Sequence, residues 1–133
     1  MTTQTKAAVL FNLNKPLKII TLNLPEPKKG EVLVKIFYSG ICHTQLLEIA
    51  GKNAAGSFIP NLMGHEASGE VIRTGMGVSK VKKGDRVVLS WIKGKGQNVI
   101  PEPINYKNNK INRGSITTFS NYSVVSENRG FKI

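Results

Sequence analysis

The chain has 133 residues, 40% of them hydrophobic, and its 19 basic and 8 acidic side chains give a net charge of +11. This length suffices for one domain with an ordinary core, while the single cysteine, Cys42, excludes an intrachain disulfide and a four-cysteine zinc site. Because no apolar run approaches the roughly 20 residues of a membrane helix and no signal peptide is visible, we expect a soluble cytoplasmic protein.

Strand-forming segments dominate the chain, and turn-forming residues separate them. In chain order, the predicted strands comprise residues 6–11, 17–24, 31–39, 66–73 and 86–92, with two short strands within 115–125. The segment 31–39 shows the pattern best, since its β-branched residues Val32, Val34 and Ile36 fall on one face of a strand.

One short helix and one long loop interrupt these strands. Residues 42–50 place apolar side chains between polar ones and close at Gly51, which is typical of a helix and its C-terminal glycine. Residues 93–112 contain two glycines, two prolines and five asparagines and predict a long, mobile loop. The G-x-G that begins at Gly94 has no helix after it, so it does not predict a phosphate site.

The predicted elements together define a fold class. Many short strands, glycine turns and one small helix favour a mainly β protein, closed or nearly closed into a barrel. No alternation of strands and helices occurs, so the sequence predicts no Rossmann domain.

The strong positive charge raises nucleic-acid binding as a candidate function. However, the lysines occur singly or in pairs, such as Lys28–Lys29 and Lys82–Lys83, and nowhere form a basic run of about 5–8 residues. Lysines scattered in this way more often hydrate a surface, so the pattern disfavours a nucleic-acid partner.

Candidate chemistry is concentrated around Cys42 and His65. Thiolate and imidazole are both good zinc ligands, and a catalytic zinc takes three protein ligands and leaves a fourth position open. Glu66 is a candidate ligand or supporting carboxylate, and Thr44 could pass on a proton from a metal-bound alcohol. A lone cysteine is more often a small hydrophobe, and a lone histidine is more often hydrogen-bonded structure. From these residues alone, both interpretations stay open.

Two longer motifs favour the zinc interpretation. The stretch G-I-C-H-T at 40–44 and the stretch G-H-E-A-S-G-E-V-I-R-T-G-M-G-V-S-K-V-K-K-G-D-R-V at 64–87 resemble the N-terminal, GroES-like domain of zinc-dependent medium-chain alcohol dehydrogenases. The resemblance implies that residues 1–133 form one GroES-like, partly open β-barrel with one or two short helices. In the full-length family, zinc and NAD(P) serve the interconversion of small alcohols and aldehydes.

The resemblance also implies a role for each matching residue. Cys42 and His65 match the first two ligands of the catalytic zinc. Glu66 matches the acidic residue behind that zinc, and Thr44 matches the hydroxyl that binds the substrate alcohol and begins the proton relay. His43 matches a basic position that approaches the pyrophosphate of the cofactor.

Several features depart from the family pattern. The third zinc ligand lies in a later stretch that is not in this chain, and residues 93–112 lack the cysteines of the family's structural zinc lobe. Gln45 stands where an acidic residue often follows, and Leu47 stands where some members use a histidine. We therefore expect zinc to bind weakly or not at all, and alcohol oxidation to require the missing Rossmann domain.

Two functional interpretations stay open. In the first, the chain is the zinc-site domain of an oxidoreductase, inactive alone and completed by a complementary Rossmann-domain polypeptide. In the second, it is a stand-alone, non-enzymatic GroES-like binding domain or a truncated remnant. The sequence does not identify the alcohol or distinguish NAD from NADP.

Overall fold

The computed structural model describes residues 2–53 and 58–133, and these residues form a mainly β structure, as predicted. In chain order the elements are β1 (Thr3–Leu10), β2 (Lys18–Leu24), β3 (Glu31–Ser39), α1 (His43–Ile49), β4 (Asn61–Leu62), β5 (Glu66–Thr74), β6 (Arg86–Ser90), β7 (Ile104–Tyr106), β8 (Asn109–Ile111), β9 (Tyr122–Ser126) and β10 (Gly130–Lys132). A 3-10 turn, Glu127–Arg129, separates β9 from β10.

In this part of the chain the strands form three antiparallel sheets. The largest has the order β10-β6-β5-β3-β9, the second has the order β2-β1-β4, and β7 and β8 form a hairpin. Strand β1 joins the two larger sheets, because Ala7 bridges Ser120 and the Thr5 hydroxyl accepts the backbone N–H of Tyr122 at 3.0 Å. The sheets stay open, so the partly open arrangement is confirmed and a fully closed barrel is not formed.

The hydrophobic core lies on both faces of β3. Leu33 packs into one cluster with Val9, whereas Val32 and Val34 pack into a second cluster with Leu89. The alternation in this strand therefore separates two apolar clusters rather than core from solvent. Such two-sided burial is expected of a central strand.

The prediction of one long loop over 93–112 is wrong in its second half. Strands β7 and β8 pair there, with Ile104 opposite Ile111, and both side chains are buried in the core. The tight turn between the strands includes Lys107 at a positive φ of 52°. Three-residue strands in a polar, asparagine-rich context give almost no periodic signal, which is why the hairpin was not predicted.

The C-terminal strands also differ from prediction. Of the two strands expected within 115–125, β9 begins there, but β10 follows later, after the 3-10 turn. The two-residue strand β4 was not predicted and pairs with the end of β1. Across residues 2–53 and 58–133, no helix is long and apolar enough to cross a membrane.

Candidate metal centre

Helix α1 begins at Cys42, directly after the end of β3. Cys42 is extended, with φ −112° and ψ 154°, and acts as the N-cap of the helix. Its backbone N–H donates to Oε1 of Gln45 at 2.7 Å, and its carbonyl oxygen accepts the Gln45 backbone N–H at 3.0 Å. This reciprocal pairing satisfies polar groups that a helix N-terminus otherwise leaves unpaired.

Gln45 also connects the helix to His65. The Gln45 side chain is only 2% exposed, and its Nε2 lies 3.5 Å from Nδ1 of His65. One buried amide therefore contacts both the backbone of Cys42 and the imidazole of His65. The structure thus brings together, through Gln45, two residues that are 23 positions apart in the chain.

The Cys42 thiol lies 3.5 Å from the hydroxyl of Thr44. Hydrogen bonding to this hydroxyl lowers the pKa of the Cys42 thiol, with smaller help from the Thr44 and His43 backbone, while partial burial and the charge of Glu66 oppose the shift. The thiolate is the form that binds metal, so the surroundings of Cys42 favour the ligating state.

Glu66 opens β5 and folds back towards the end of β3. Gly40 donates its backbone N–H to the carbonyl oxygen of Glu66 at 2.9 Å, and a methyl group added at Gly40 would lie 2.4 Å from Glu66 Oε1. A larger residue at position 40 would therefore displace the Glu66 side chain from its place beside the Cys42 segment.

His65 is placed by an unusual backbone at the preceding residue. Gly64 has a φ of +91°, and a Cβ at this position would lie 2.4 Å from the Thr118 hydroxyl oxygen. Both the left-handed conformation and the tight contact require glycine. The turn at Gly64 thus directs His65 into the space beside α1.

The donor set fits a zinc site in part. Cys42 and His65 supply the thiolate and imidazole that zinc prefers. In residues 2–53 and 58–133, however, no group of three His, Cys, Asp or Glu side chains is placed to hold one metal ion. Glu66 therefore does not complete a three-ligand group with Cys42 and His65 in these residues.

Trp91 and Glu48 border the same site, and neither was singled out from the sequence. The Trp91 ring lies 6.5 Å from the His65 ring, measured between centroids, at an interplanar angle of 42°.

Glu48 lies one helical turn after Gln45 and lines a cavity of about 470 Å³ together with His65 and Arg113. Burial raises the pKa of the Glu48 carboxyl, although nearby His65 and Gln45 act in the opposite direction. Gln45 and Glu48 are three residues apart in the helix and therefore share one face, and this spacing could have indicated Glu48 as a neighbour of the site.

The remaining candidate, His43, is the first residue of α1 and is exposed to solvent. The contacts that join Cys42 to His65 run through Gln45 and do not involve the His43 side chain. Thr44, the next residue, is half-buried and lies on the Cys42 side of the helix start.

These features define a class of protein: a mainly β domain in which a thiol at the start of its short helix and an imidazole just before β5 form a candidate catalytic metal centre. Comparison with known families is consistent with that class, since the alcohol dehydrogenase GroES-like domain matches residues 28–133. The chain belongs to the alcohol dehydrogenase GroES-like domain family.

Relatives and solved structures agree with the assignment. An S-(hydroxymethyl)glutathione dehydrogenase of Escherichia coli O6:H1 is 40% identical over 94 residues, which cover 71% of this chain and 25% of the relative. The chain therefore spans about a quarter of the length of the curated relatives it matches. Benzyl alcohol dehydrogenase from Acinetobacter calcoaceticus superposes with a TM-score of 0.81 and 25% identity, covering 98% of this chain and 41% of that one.

A further structural match shares the fold. The cobalt- and zinc-bound thermostable alcohol dehydrogenase from Pyrobaculum aerophilum superposes with a TM-score of 0.74 at 23% identity, covering 98% of this chain and 41% of that one. The GroES-like fold implied by the sequence motifs is thereby confirmed.

Proposed function

We propose that this chain is the zinc-ligating, alcohol-binding domain of an NAD(P)-dependent alcohol dehydrogenase. The observation that carries the proposal is the junction through Gln45, which contacts the backbone of Cys42 at 2.7 Å and the imidazole of His65 at 3.5 Å. Membership in the alcohol dehydrogenase GroES-like domain family supports it independently.

In this proposal, Cys42 and His65 hold the zinc ion as two of its protein ligands. The chemistry that zinc supplies when bound is Lewis-acid polarisation of the alcohol oxygen. The hydrogen bond with Thr44 keeps the pKa of Cys42 low and so favours the ligating thiolate. With the thiolate held as a zinc ligand, the Thr44 hydroxyl, 3.5 Å from the Cys42 thiol, would accept a hydrogen bond from the substrate hydroxyl and so orient it. Trp91 would contribute an aromatic surface beside His65, with ring centroids 6.5 Å apart.

Cofactor binding is assigned to His43 and to sequence beyond this chain. His43 is exposed at the start of α1 and is available to the pyrophosphate of NAD(P). One such contact is far too little to hold a dinucleotide, which normally needs a glycine-rich turn and a helix N-terminus. We infer that a Rossmann domain, on the same or a complementary polypeptide, supplies the nicotinamide, and that the 133 residues alone do not oxidise alcohols.

Cobalt substitution tests the metal assignment. Co²⁺ added to the chain is expected to give a thiolate-to-cobalt charge-transfer band and visible ligand-field bands. Both should disappear in Cys42→Ser and weaken strongly in His65→Asn. The chain has two histidines, so His43→Asn is the matched control and should bind Co²⁺ like the wild type. Equal spectra for Cys42→Ser and wild type would contradict the proposal.

A non-enzymatic GroES-like binding domain is the second candidate, and the incomplete ligand set within the described ranges favours it. It predicts no cobalt–thiolate band at any metal concentration that leaves the chain folded. It also predicts no alcohol-dependent NADH formation when a family Rossmann domain is supplied in trans. Recovery of turnover under that condition, with loss in Thr44→Val, supports the enzymatic proposal instead.

A further inference from the structure

Three consecutive polar residues, Glu127, Asn128 and Arg129, are almost completely buried in the 3-10 turn between β9 and β10. Their exposed fractions are 1%, 3% and 6%. Burying a charged or polar side chain is costly unless it is paired, so two charged residues and one amide buried side by side require specific partners. We call this turn the polar clamp.

The polar clamp holds the backbone of two other segments. Glu127 accepts the backbone N–H groups of Ser79 and Lys80 through Oε1 and that of Gln97 through Oε2, each at 3.1 Å. The carbonyl oxygen of Asn128 accepts the N–H of Gly94 at 2.7 Å. The segment that follows β6 is thus fixed at two points by hydrogen bonds.

The structure explains why glycine occurs at both Gly94 and Gly96, the G-x-G that does not predict a phosphate site. A Cβ on Gly94 would lie 2.6 Å from the Phe131 ring, and a Cβ on Gly96 would lie 2.6 Å from Cγ of Glu127. Gly96 also has a φ of +105°. Both glycines are therefore needed for the segment to approach the polar clamp.

Arg129 extends the polar clamp to the candidate metal centre. Its Nη1 donates to the carbonyl oxygen of Trp91, while its Nε finds no partner in the part of the chain that the structure describes. Trp91 is exposed to 59%, so little packing holds its indole in place. The hydrogen bond from Arg129 therefore restrains the backbone of the residue whose ring lies 6.5 Å from the His65 ring, measured between centroids.

We propose that Arg129 is a positioning residue for the candidate metal centre: by fixing the Trp91 backbone within the polar clamp, it keeps the indole against His65. The inference deepens the proposed function and rests on it, because Trp91 matters to the chemistry through the proposed ligand His65. The ordering of Trp91 can nevertheless be measured without metal.

The test uses the fluorescence of Trp91, which is the single tryptophan of the chain. In metal-free wild type, anisotropy decay should follow overall tumbling, and NMR should show contacts between the indole and the His65 imidazole. Arg129→Met should add a fast nanosecond decay and lose those contacts. Arg86→Met is the matched control, because Arg86 is exposed on β6 and its guanidinium lies over Phe37.

A second arm adds Co²⁺, which should quench Trp91 in wild type and less in Arg129→Met. If the wild type does not bind Co²⁺, the proposed function is wrong, but the metal-free measurement still tests whether Arg129 positions Trp91. Anisotropy decay in Arg129→Met equal to that of Arg86→Met overturns the positioning role. If Arg129→Met does not fold, the wild-type decay decides: a freely rotating indole overturns the inference, and a restrained one supports it.

Discussion

The polar clamp and the candidate metal centre both depend on polar side chains, but they differ in how completely those groups are paired. In the polar clamp, both oxygens of Glu127 accept backbone N–H groups. In the metal centre, Cys42 and His65 share one amide, that of Gln45, and lack a third metal-binding neighbour among the residues described. The Glu127 carboxylate is thus fully paired among the described residues, although Asn128 Oδ1 and Arg129 Nε are not. Cys42 and His65, in contrast, have no third potential metal ligand beside them in that part of the chain.

The largest expected effect comes from removing the Glu127 carboxylate, which makes the hydrogen bonds of the polar clamp. Glu127→Ala leaves three partly buried backbone N–H groups without their acceptor, so we expect the free energy of unfolding to fall by about 3–5 kcal/mol. Urea denaturation followed by circular dichroism measures this change.

Glu26→Ala is the control for that experiment. Glu26 pairs with Arg73 at 3.0 Å, but both side chains are 37% exposed. Such a surface pair contributes about 0–1 kcal/mol. Similar losses for the two variants would mean that the polar clamp is no more important than a surface ion pair.

A second prediction concerns the β7–β8 hairpin, which lies where the sequence predicted a mobile loop. Ile111 is fully buried, so Ile111→Ala should lower the free energy of unfolding by about 2–5 kcal/mol. Ile100→Ala, at a position 85% exposed, should change it by no more than about 0.5 kcal/mol. If Ile111→Ala is as mild as Ile100→Ala in urea denaturation, the hairpin is not part of the core.

Much of the fold was predictable from sequence, and the failures have physical reasons. The bounds of β3 match the predicted 31–39 because a long apolar strand leaves a strong periodic signal. The hairpin strand β7 and the strand β4 were missed because two or three residues carry no period.

The site was predictable only in part. Chemistry and family resemblance predicted Cys42 and His65 as metal ligands, since thiolate and imidazole are recognisable as residue types, and the structure connects both residues to Gln45. The contacts of Gln45 with His65 and of Arg129 with Trp91 join positions 20 and 38 residues apart. Such contacts depend on tertiary packing and leave no local pattern in the sequence.

At the candidate metal centre, Gln45→Glu is expected to raise the affinity for metal. The amide of Gln45 directs Oε1 to the Cys42 N–H and therefore an N–H donor towards His65 Nδ1. A carboxylate could accept from both Cys42 and a metal-bound imidazole that carries its proton on Nδ1. We expect Co²⁺ affinity to rise about tenfold, as for other partners of metal-bound histidine.

Cobalt titration measures this affinity, and Gln4→Glu is the control for the added charge. Gln4 is exposed on β1 and takes no part in the contacts that join Cys42 to His65. An equal gain in both variants would show that the general negative charge, and not the carboxylate beside His65, attracts the metal.

The smallest expected effect concerns pH. Burial tends to raise the pKa of Glu127, but hydrogen bonds from the backbone of Gln97, Lys80 and Ser79 outweigh it and lower the pKa below 4.5. A carboxyl with a lowered folded-state pKa stabilises the protein above its unfolded pKa and loses this contribution as pH falls towards the folded value. Between about pH 6 and pH 3, wild type should therefore lose more stability than Glu127→Gln. Parallel losses in urea midpoint would contradict this assignment.

The most direct test of the central claim is X-ray absorption spectroscopy of the zinc-loaded chain. Two-ligand binding by Cys42 and His65 predicts one sulfur at about 2.3 Å and one imidazole nitrogen at about 2.0 Å, with the remaining positions filled by light atoms from solvent. A shell with no sulfur, or one with three or more imidazole and sulfur ligands from a single chain, would contradict a half-complete centre built on this pair.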